Sequence, residues 1–483
     1  MKVYGLHLIG LHVKHKLMDD NDHRFHSPLF NSNADFCRGP LQRREFLRFG
    51  TLALGGMTLP QLKAAQANSG NRRPETSVIL FWMWGGPSQF ETWDPKPDAP
   101  DTIRGPFKPI STRVPGLQIC EVFPLQAKIA DKISLIRSLH HKMSAHNDGS
   151  IEVLTGKTPI VPDLTSTNYS DHPDFGMITS HFRGTGTDGI PPYVGIPKVP
   201  FMVRPNYLGV AHSGFPTGDP SAAGFKPGGL VLDAGLNGQR LENRRSLLSQ
   251  FDTFRRFADV RLQSTVDPFT ESAFAMLTSP TVASAFDLTR EDPRLRDRYG
   301  RHLWGQACLL ARRLAEAGSS VITIDALAPT LSDRYFSWDD HINPQTRWDM
   351  ADAMRYRAPF MDQAITALIE DIYARSLDHK ILVVAMGEFG RTPKVVNHSG
   401  LIGRDHWPDA MSALISGGGS RTGQVIGSTD RSGAYPADRP LSPQDLLATI
   451  YRHLGIDPKI EFQDRTGRPV PVLAGGNAID ELF

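Results

Sequence analysis

The sequence predicts an α/β protein whose mostly parallel central sheet is covered by helices on both faces. Two observations support this prediction. Short apolar runs with the length of buried strands alternate with longer segments whose apolar residues recur at helical spacing. Several runs end abruptly, as the first does at Gly85, Gly86 and Pro87. Such alternation is typical of parallel sheets, because the helices that connect parallel strands lie on the faces of the sheet.

The same patterns predict the individual elements. Strands are predicted at residues 77–84, 133–139, 320–324, 381–386 and 411–415. Helices are predicted at residues 303–317 and 348–376, and a third begins at Ser442 and Pro443 and closes at Gly455. Residues 159–226 are rich in Gly, Pro, Ser and Asp and show little periodicity, which predicts a long irregular segment near the mouth of a site.

Length and charge restrict the classes of function. At 483 residues the chain is long enough for one large domain with a sizeable core. Its 53 basic and 51 acidic side chains nearly balance, so the net charge offers no general attraction to nucleic acid. We therefore expect no nucleic-acid partner, and a small molecule or a neutral polymer as the ligand.

The N-terminal segment has the order of a signal peptide. Arg43 and Arg44 precede a weakly apolar run, and Ala65 and Ala67 form a small-x-small cleavage signal. The arginine pair resembles the twin-arginine export motif. An ordinary amphipathic helix is the alternative interpretation. The signal-peptide interpretation predicts a periplasmic or secreted protein whose precursor engages the twin-arginine export machinery.

These features predict the organisation of the chain. Residues 1–70 are expected to be a leader with a disordered N-terminal extension, and residues 75–483 the folded domain, with no transmembrane segment. Cys37 falls in the leader, so Cys120 and Cys308 allow at most one disulfide in the mature chain. Two buried free thiols are the simpler interpretation and the one we favour.

Metal-type ligands are concentrated after the predicted strands. In open parallel sheets, ligands bind beyond the carboxyl ends of the strands, so side chains from separate strands converge there. Carboxylates and imidazoles together suit zinc, manganese or, for the oxygen ligands, calcium. The candidate ligands of a divalent metal are Asp339, His341, Glu388, Asp405 and His406, and His146 lies in a similar position after the second strand.

Some of these motifs also have a structural interpretation. Asp339 and His341 could cap the start of a helix, and Asp405 could form a surface ion pair with Arg404. The metal hypothesis therefore depends on the shared position of the motifs and not on any one of them.

Glu388 and Arg391 form the least ambiguous pair of charged residues. Glu388 directly follows an apolar strand, and a carboxylate buried there needs a partner to offset its desolvation. Arg391 is either that partner or a bidentate clamp for the anionic group of a substrate.

Several motifs together resemble those of the DUF1501 proteins, which belong to the alkaline phosphatase-like superfamily. They are spread over nearly all of the mature chain, at residues 85–88, 92–97, 154–156, 312–318, 338–341, 387–393 and 403–408. The resemblance implies a single large alkaline phosphatase-like domain. It also implies an exported, sulfatase-like, metal-dependent hydrolase of sulfate or phosphate esters, acting on a small-molecule or polysaccharide ester.

The resemblance further implies roles for individual residues. By position, Glu388 takes the place of an Asp-His pair that binds one metal. Asp339 and His341 resemble the Asp and His of the other metal site, and His406 resembles the final His.

Two positions depart from the pattern of the wider superfamily. Trp84 stands where the first strand should end in a metal-binding Asp, and His146 stands where relatives place a nucleophile. A covalent mechanism is therefore in doubt, and water activated by the metal, with the departing anion held by Arg391, is the alternative. Ser88 or Ser144 could replace the nucleophile. The catalytic candidates are Arg391, His146 and Ser88.

Two other functions compete with ester hydrolysis. The fold could serve as a non-catalytic binding or accessory protein, which the missing Asp and nucleophile favour. A serine hydrolase built on Ser88, His406 and Asp339 is a weaker alternative, because Ser88 lies in no Gly-x-Ser-x-Gly elbow. Convergence of the candidate ligands in one cavity would favour the hydrolase.

Overall fold

A fully buried strand, β1 (Ser77–Trp82), lies near the middle of an eight-stranded sheet in this computed structural model. The structure describes residues 75–185, 188–227, 268–330, 335–341 and 348–483, with the side chains of 268–272 excepted. The predicted leader lies outside the described residues.

The central sheet is mixed but mostly parallel. Its strand order is β8-β2-β7-β6-β1-β5-β3-β4. The strands after β1 are β2 (Ser134–Leu139), β3 (Tyr193–Ile196), β4 (Phe215–Pro216), β5 (Val321–Asp325), β6 (Ile381–Met386), β7 (Met411–Gly417) and β8 (Gln424–Ile426). β7 runs antiparallel to both β2 and β6, and the other pairs are parallel.

Helices and short hairpins complete the described chain. The helices are α1 (Asp101–Arg104), α2 (Pro124–Lys128), α3 (His146–Thr155), α4 (Phe175–Arg183), α5 (Pro268–Thr278), α6 (Pro280–Phe286), α7 (Pro293–Tyr299), α8 (Leu303–Glu316), α9 (Met350–Ala374) and α10 (Pro443–Leu454). The paired short strands are Pro109–Ser111 with Gln118–Cys120, Gly390–Arg391 with His406–Trp407, Val396–His398 with Leu401–Gly403, Ser428–Thr429 with Pro436–Asp438, and Glu461–Gln463 with Pro469–Pro471. Single 3₁₀ turns occur at Ala130–Lys132, Asn206–Leu208, Val210–His212, Leu288–Arg290 and Asp480–Leu482.

Apolar cores lie on both faces of the sheet, as the sequence predicts. Successive side chains of a strand point to opposite faces, and in β1 they join different clusters: Phe81 packs with residues of α8 and α9, and Leu80 with residues of α3, α4 and α10. The prediction of a mostly parallel sheet covered by helices on both faces is confirmed.

The irregular segment predicted at residues 159–226 is wrong in part. It contains α4 and two strands of the sheet, β3 and β4. Asp174 caps α4 by accepting a hydrogen bond from the backbone N–H of Met177 at 2.7 Å. β3 has only four residues, which is too short for a recognisable local pattern. Its parallel pairing with β5 is what makes it a strand.

The cysteine prediction is confirmed, because Cys120 and Cys308 are buried free thiols. Among the described residues, no helix is both long and apolar enough to cross a membrane.

The topology brings several chain segments to one edge of the sheet. β1, β2, β5 and β6 all have their carboxyl ends at this edge. β7 is antiparallel to its neighbours, so its first residue, Met411, and the preceding His406 also lie there. The next residues to consider are therefore those that follow the parallel strands and those that precede β7.

Candidate metal centre

His146 is the first residue of α3, the helix that follows β2. Its Nδ1 lies 2.7 Å from Oε1 of Glu388, which follows β6. Both residues are buried. The contact therefore joins the start of a helix to the carboxyl end of a strand.

Glu388 is also tied to the end of β1. Its two carboxylate oxygens accept the backbone N–H of Gly85, at 2.8 and 3.1 Å. Gly85 has φ +111, and a Cβ atom there would lie 2.5 Å from the backbone nitrogen of Asp339. Only glycine combines this backbone conformation with this close approach. The turn after β1, which lacks the expected Asp, is instead shaped to hold Glu388.

Asp339 lies at the centre of the cluster. Its Oδ2 is 3.2 Å from Nε2 of His146. Its Oδ1 is 2.5 Å from Nδ1 of His341 and 3.2 Å from Nε2 of His406. Three imidazoles that the sequence singled out therefore converge on one carboxylate. The three groups that could hold a metal ion together are His146, Asp339 and His406, whose ligand atoms all lie within 4.8 Å of one another.

The hydrogen bonds of His146 and His406 indicate which ring nitrogen of each is free to bind a cation. Nδ1 of His146 donates to Glu388, and Nδ1 of His406 donates to the backbone carbonyl of Ser144 at 2.8 Å. A neutral imidazole carries a single N–H, so each Nε2 then presents a lone pair. Metal-binding histidines have this arrangement, with the other ring nitrogen donating to a carboxylate or a carbonyl.

Both lone pairs face the Asp339 carboxylate, which is repulsive unless a proton or a cation lies between them. Nε2 of His146 is buried and makes no hydrogen bond to any described residue, although Oδ2 of Asp339 is 3.2 Å away. An unpaired polar atom at this position is one that a bound cation would satisfy. Two imidazole nitrogens and a carboxylate oxygen form a ligand set that suits zinc or manganese.

The pKa values of the cluster also indicate that a positive charge beside Asp339 is favourable. Burial alone would lower the pKa of His146, but its contacts with Asp339 and Glu388 outweigh burial and raise the pKa to about 9. Burial lowers the pKa of His406. Burial would raise the pKa of Asp339, yet Arg391 and the three imidazoles hold it well below its usual range. Asp339 is therefore a permanent negative charge in this site.

Three of the predicted metal ligands, Glu388, Asp405 and His341, lie outside the group of three. Glu388 contacts His146 and Gly85, so it supports a ligand here. Asp405 is exposed, and its backbone pairs with Thr392. His341, the remaining predicted ligand, contacts the same Asp339 oxygen as His406 does.

Arg391 is fully buried, and its guanidinium group is surrounded by protein acceptors. These are the carbonyl oxygens of Gly85, Gly86, Trp338 and Arg404 and, at 2.7 Å, Oδ1 of Asp339. The contacts favour a positioning role, in which Arg391 fixes Asp339 against the turn after β1. They do not favour the substrate clamp that the sequence suggested.

Ser88 belongs to a different buried network. Its hydroxyl donates to Oε2 of Glu91. The Glu91 carboxylate also receives two hydrogen bonds from Arg404, at 2.9 and 3.0 Å. Arg404 is fully buried, so the surface ion pair considered for it is wrong. These contacts give Ser88 a structural partner and do not favour a nucleophile.

Sequence reasoning missed a buried carboxylate, Asp325, at the end of β5. Burial raises the pKa of Asp325 to about 7, with a further contribution from the charge of Glu388 and an opposing one from Lys198. The signal was available, because Asp325 directly follows the predicted strand 320–324, as Glu388 lies two residues after the predicted strand 381–386.

An open cavity of about 390 Å³ adjoins the cluster. It is lined by Ser144, Ala145, Leu164, Ser166, His341, Asp405 and His406. Two of the imidazoles around Asp339 are therefore accessible to a small molecule.

Comparisons with known proteins identify a family. Residues 75–483 match the family described as "Protein of unknown function (DUF1501)". No curated protein matches the chain.

The solved structures that the chain resembles include a sulfatase, a phosphonate monoester hydrolase and a synthase. A sulfatase from Pseudoalteromonas sp. is 14% identical with a TM-score of 0.35, over 91% of this chain and 75% of that chain. The phosphonate monoester hydrolase of Agrobacterium radiobacter is 12% identical with a TM-score of 0.34, over 84% and 77%. The lipoteichoic acid synthase LtaP from Listeria monocytogenes is 10% identical with a TM-score of 0.36, over 80% and 73%.

Proposed function

We propose, from the premise that this chain belongs to the DUF1501 family, that it is an exported, metal-dependent hydrolase of sulfate or phosphate esters. The observation that carries the proposal is the convergence of His146, Asp339 and His406 beside an open cavity. Their ligand atoms lie within 4.8 Å of one another and come from separate segments of the chain. The resemblance of the family to the alkaline phosphatase-like superfamily supplies the ester class.

The residues fit a divalent cation, with His146, Asp339 and His406 as its ligands. Glu388 and the carbonyl of Ser144 orient the two imidazoles so that each Nε2 faces the site. Imidazole nitrogens favour zinc or manganese over calcium, which prefers oxygen ligands. When bound, such a cation would supply Lewis-acid activation of water and neutralise charge on the ester oxygens.

The other residues of the site prepare it for this chemistry. Arg391 keeps Asp339 ionised and fixes it to the turn after β1. His341 lines the cavity, and its Nδ1 is oriented by Asp339 at 2.5 Å. An imidazole held by a carboxylate beside the substrate has the arrangement of a general acid or base. We therefore assign proton transfer at the ester to His341.

A non-catalytic binding or accessory protein is the second candidate. Its support is that Ser88 and Arg391 are both occupied by protein partners. Neither residue is then presented to a substrate as a nucleophile or an anion clamp.

Metal-restored turnover tests the proposal. The protein without its leader would be stripped with a chelator and assayed with aryl sulfates and aryl phosphates after adding zinc, manganese or calcium. We expect at least one metal to restore turnover in the wild type and not in His406→Ala. His379→Ala, which changes an exposed histidine, is the matched control. Absence of turnover with every metal and both ester classes would favour the accessory protein.

A further inference from the structure

A loop at the mouth of the cavity exposes three aliphatic side chains. Ile160 is 86% exposed, Val161 73% and Leu164 82%. Single exposed apolar residues are common on protein surfaces, but a cluster beside a site marks a binding surface.

Hydrogen bonds to Asp148 and from the Asn168 side chain hold the backbone of the loop. Oδ2 of Asp148, a buried residue of α3, accepts the backbone N–H of Asp163 at 2.6 Å. Oδ1 of Asp148 accepts from the Asn168 side chain at 2.8 Å, and the same amide group donates to the carbonyl of Val161 at 3.0 Å. These bonds fix a backbone from which the aliphatic side chains point to solvent. The loop is therefore a preformed apolar surface.

This surface is continuous with the candidate metal centre. Leu164 and Ser166 line the same cavity as His341 and His406. The hydroxyl of Ser166 accepts the backbone N–H of His146 at 3.2 Å, which attaches the loop to the first residue of α3. A molecule that occupies this cavity therefore lies beside both Leu164 and the imidazoles.

Aromatic side chains extend the surface. Tyr169 is 47% exposed and Phe201 48%. Their segments are joined where the backbone N–H of Ser170 donates to the carbonyl of Met202 at 2.8 Å. We call Ile160, Val161, Leu164, Tyr169 and Phe201 the apolar rim.

The ring of Trp84 also connects the apolar rim to the metal centre. The ring of Trp84 lies 6.1 Å from that of Phe201 and 5.0 Å from that of His146, between centroids. Aromatic surface thus connects an exposed rim residue with a candidate metal ligand. The rim and the centre belong to one binding site.

We propose that the apolar rim binds the organic part of the ester, so that the substrate is an alkyl or aryl ester and not an ester of a charged sugar. This inference rests on the proposed function. An alkyl or aryl group gains free energy when it covers exposed aliphatic and aromatic side chains. A charged group on a sugar ring would lose hydration against the aliphatic side chains of the rim.

Binding of n-alkyl sulfonates tests the inference without requiring turnover. Butyl, hexyl and octyl sulfonate would be titrated calorimetrically into the metal-loaded protein. Burying a methylene group contributes about 0.8 kcal/mol, so Kd should fall by about two- to fourfold per methylene added. In the Val161→Ser/Leu164→Ser double variant we expect this dependence on chain length to be at least halved. Val425→Ser, at a partly exposed valine of β8 outside the apolar rim, should keep the full dependence.

The outcomes separate this inference from the proposed function. Affinity that is independent of chain length, together with turnover of short esters, would overturn the apolar-rim assignment and leave the hydrolase. Chain-length dependence that the double variant weakens, without turnover of any ester, would overturn the hydrolase and keep the rim as an apolar ligand site. Binding to phosphatidylglycerol vesicles that is lost in the double variant, with no dependence on sulfonate chain length, would overturn the assignment in favour of a membrane surface.

Discussion

Nδ1 of His146 lies 2.7 Å from Oε1 of Glu388, which joins the start of α3 to the carboxyl end of β6. Because Nδ1 donates its proton to this carboxylate, Nε2 is left to face Asp339. The carboxylate therefore sets which nitrogen is available to a cation. The first prediction follows from this contact.

Replacing Glu388 should weaken metal binding without unfolding the protein. Glu388→Gln keeps an oxygen that can accept the N–H of Gly85 but removes the negative charge beside His146. We expect the metal Kd to rise by about 10- to 100-fold, as is typical when a supporting partner of a metal-binding histidine is changed. Competition with a chromogenic chelator measures it. Glu370→Gln, at a surface ion pair with Arg298, is the control. Unchanged metal affinity in Glu388→Gln would contradict the orienting role.

Removing the guanidinium group of Arg391 should destabilise the fold. Arg391→Met leaves Asp339 without its buried cation and leaves backbone carbonyls around β1 without donors. Breaking a buried ion pair from one side costs about 3–5 kcal/mol. Urea unfolding of the chelated protein measures the loss.

The control for this experiment is Arg355→Met, since Arg355 and Asp352 form an exposed ion pair. Such pairs contribute about 0–1 kcal/mol. Similar losses in the two variants would show that Arg391 has no special structural role.

The stability of the chelated protein should depend on the ionisation of Asp325. Burial raises the pKa of Asp325 to about 7 in the native state, and an unfolded chain restores a value of about 4. Between these values the native state binds more protons than the unfolded state, so the free energy of unfolding falls as pH rises from about 4 to about 7. Above about pH 7 the contribution of Asp325 to the free energy of unfolding is fully lost.

Asp325→Asn removes this titration. We expect the variant to be more stable than the wild type at pH 8 by up to a few kcal/mol, since one pKa unit corresponds to about 1.4 kcal/mol. Near pH 4 the two proteins should be equally stable. Urea unfolding at several pH values gives the comparison, and parallel pH profiles for the two proteins would contradict a buried, titrating Asp325.

The two thiols should not react in the native state. Burial raises the pKa of Cys120 to about 12, and burial also raises that of Cys308. Because the thiolate is the reactive form, iodoacetamide at pH 8 should label neither residue in the native protein produced without residues 1–70, and both in urea. Mass spectrometry counts the labels. Rapid labelling of the native protein would contradict the burial of the thiols.

The local sequence patterns predicted the elements that have strong patterns of their own. The strand at residues 381–386 has the predicted bounds. α10 begins at Pro443 with Ser442 and Asp445 forming a capping box, and Gly455 closes it in a left-handed conformation. In contrast, β3 is recognisable only from its pairing with β5, because four residues carry too little periodicity.

The candidate site could be located from the sequence, but its internal arrangement could not. Strand-end positions singled out His146, Asp339, His341, Glu388 and His406, whose side chains contact one another. Only His146, Asp339 and His406 lie at ligand distances from one another. Whether a residue binds the metal or supports a ligand depends on which of its atoms are in contact with the others. Contacts between segments far apart in the chain determine this.

Arg391 illustrates the same limit. Apart from the carbonyl of Arg404, its acceptors come from the turn after β1 and from Trp338 and Asp339, which are far away in the chain. No local sequence pattern could show that the N–H groups of Arg391 donate to these acceptors.

Metal analysis of the purified protein tests the central claim most directly. The wild type, Asp339→Asn and the exposed control His379→Ala would be produced without residues 1–70 and analysed for metals before and after chelation. The account predicts a near-stoichiometric divalent metal, zinc or manganese, in the wild type and the control, and its loss from Asp339→Asn. A wild-type protein that holds no metal, takes up none when zinc or manganese is supplied, and unfolds at the same temperature with and without chelator would contradict it.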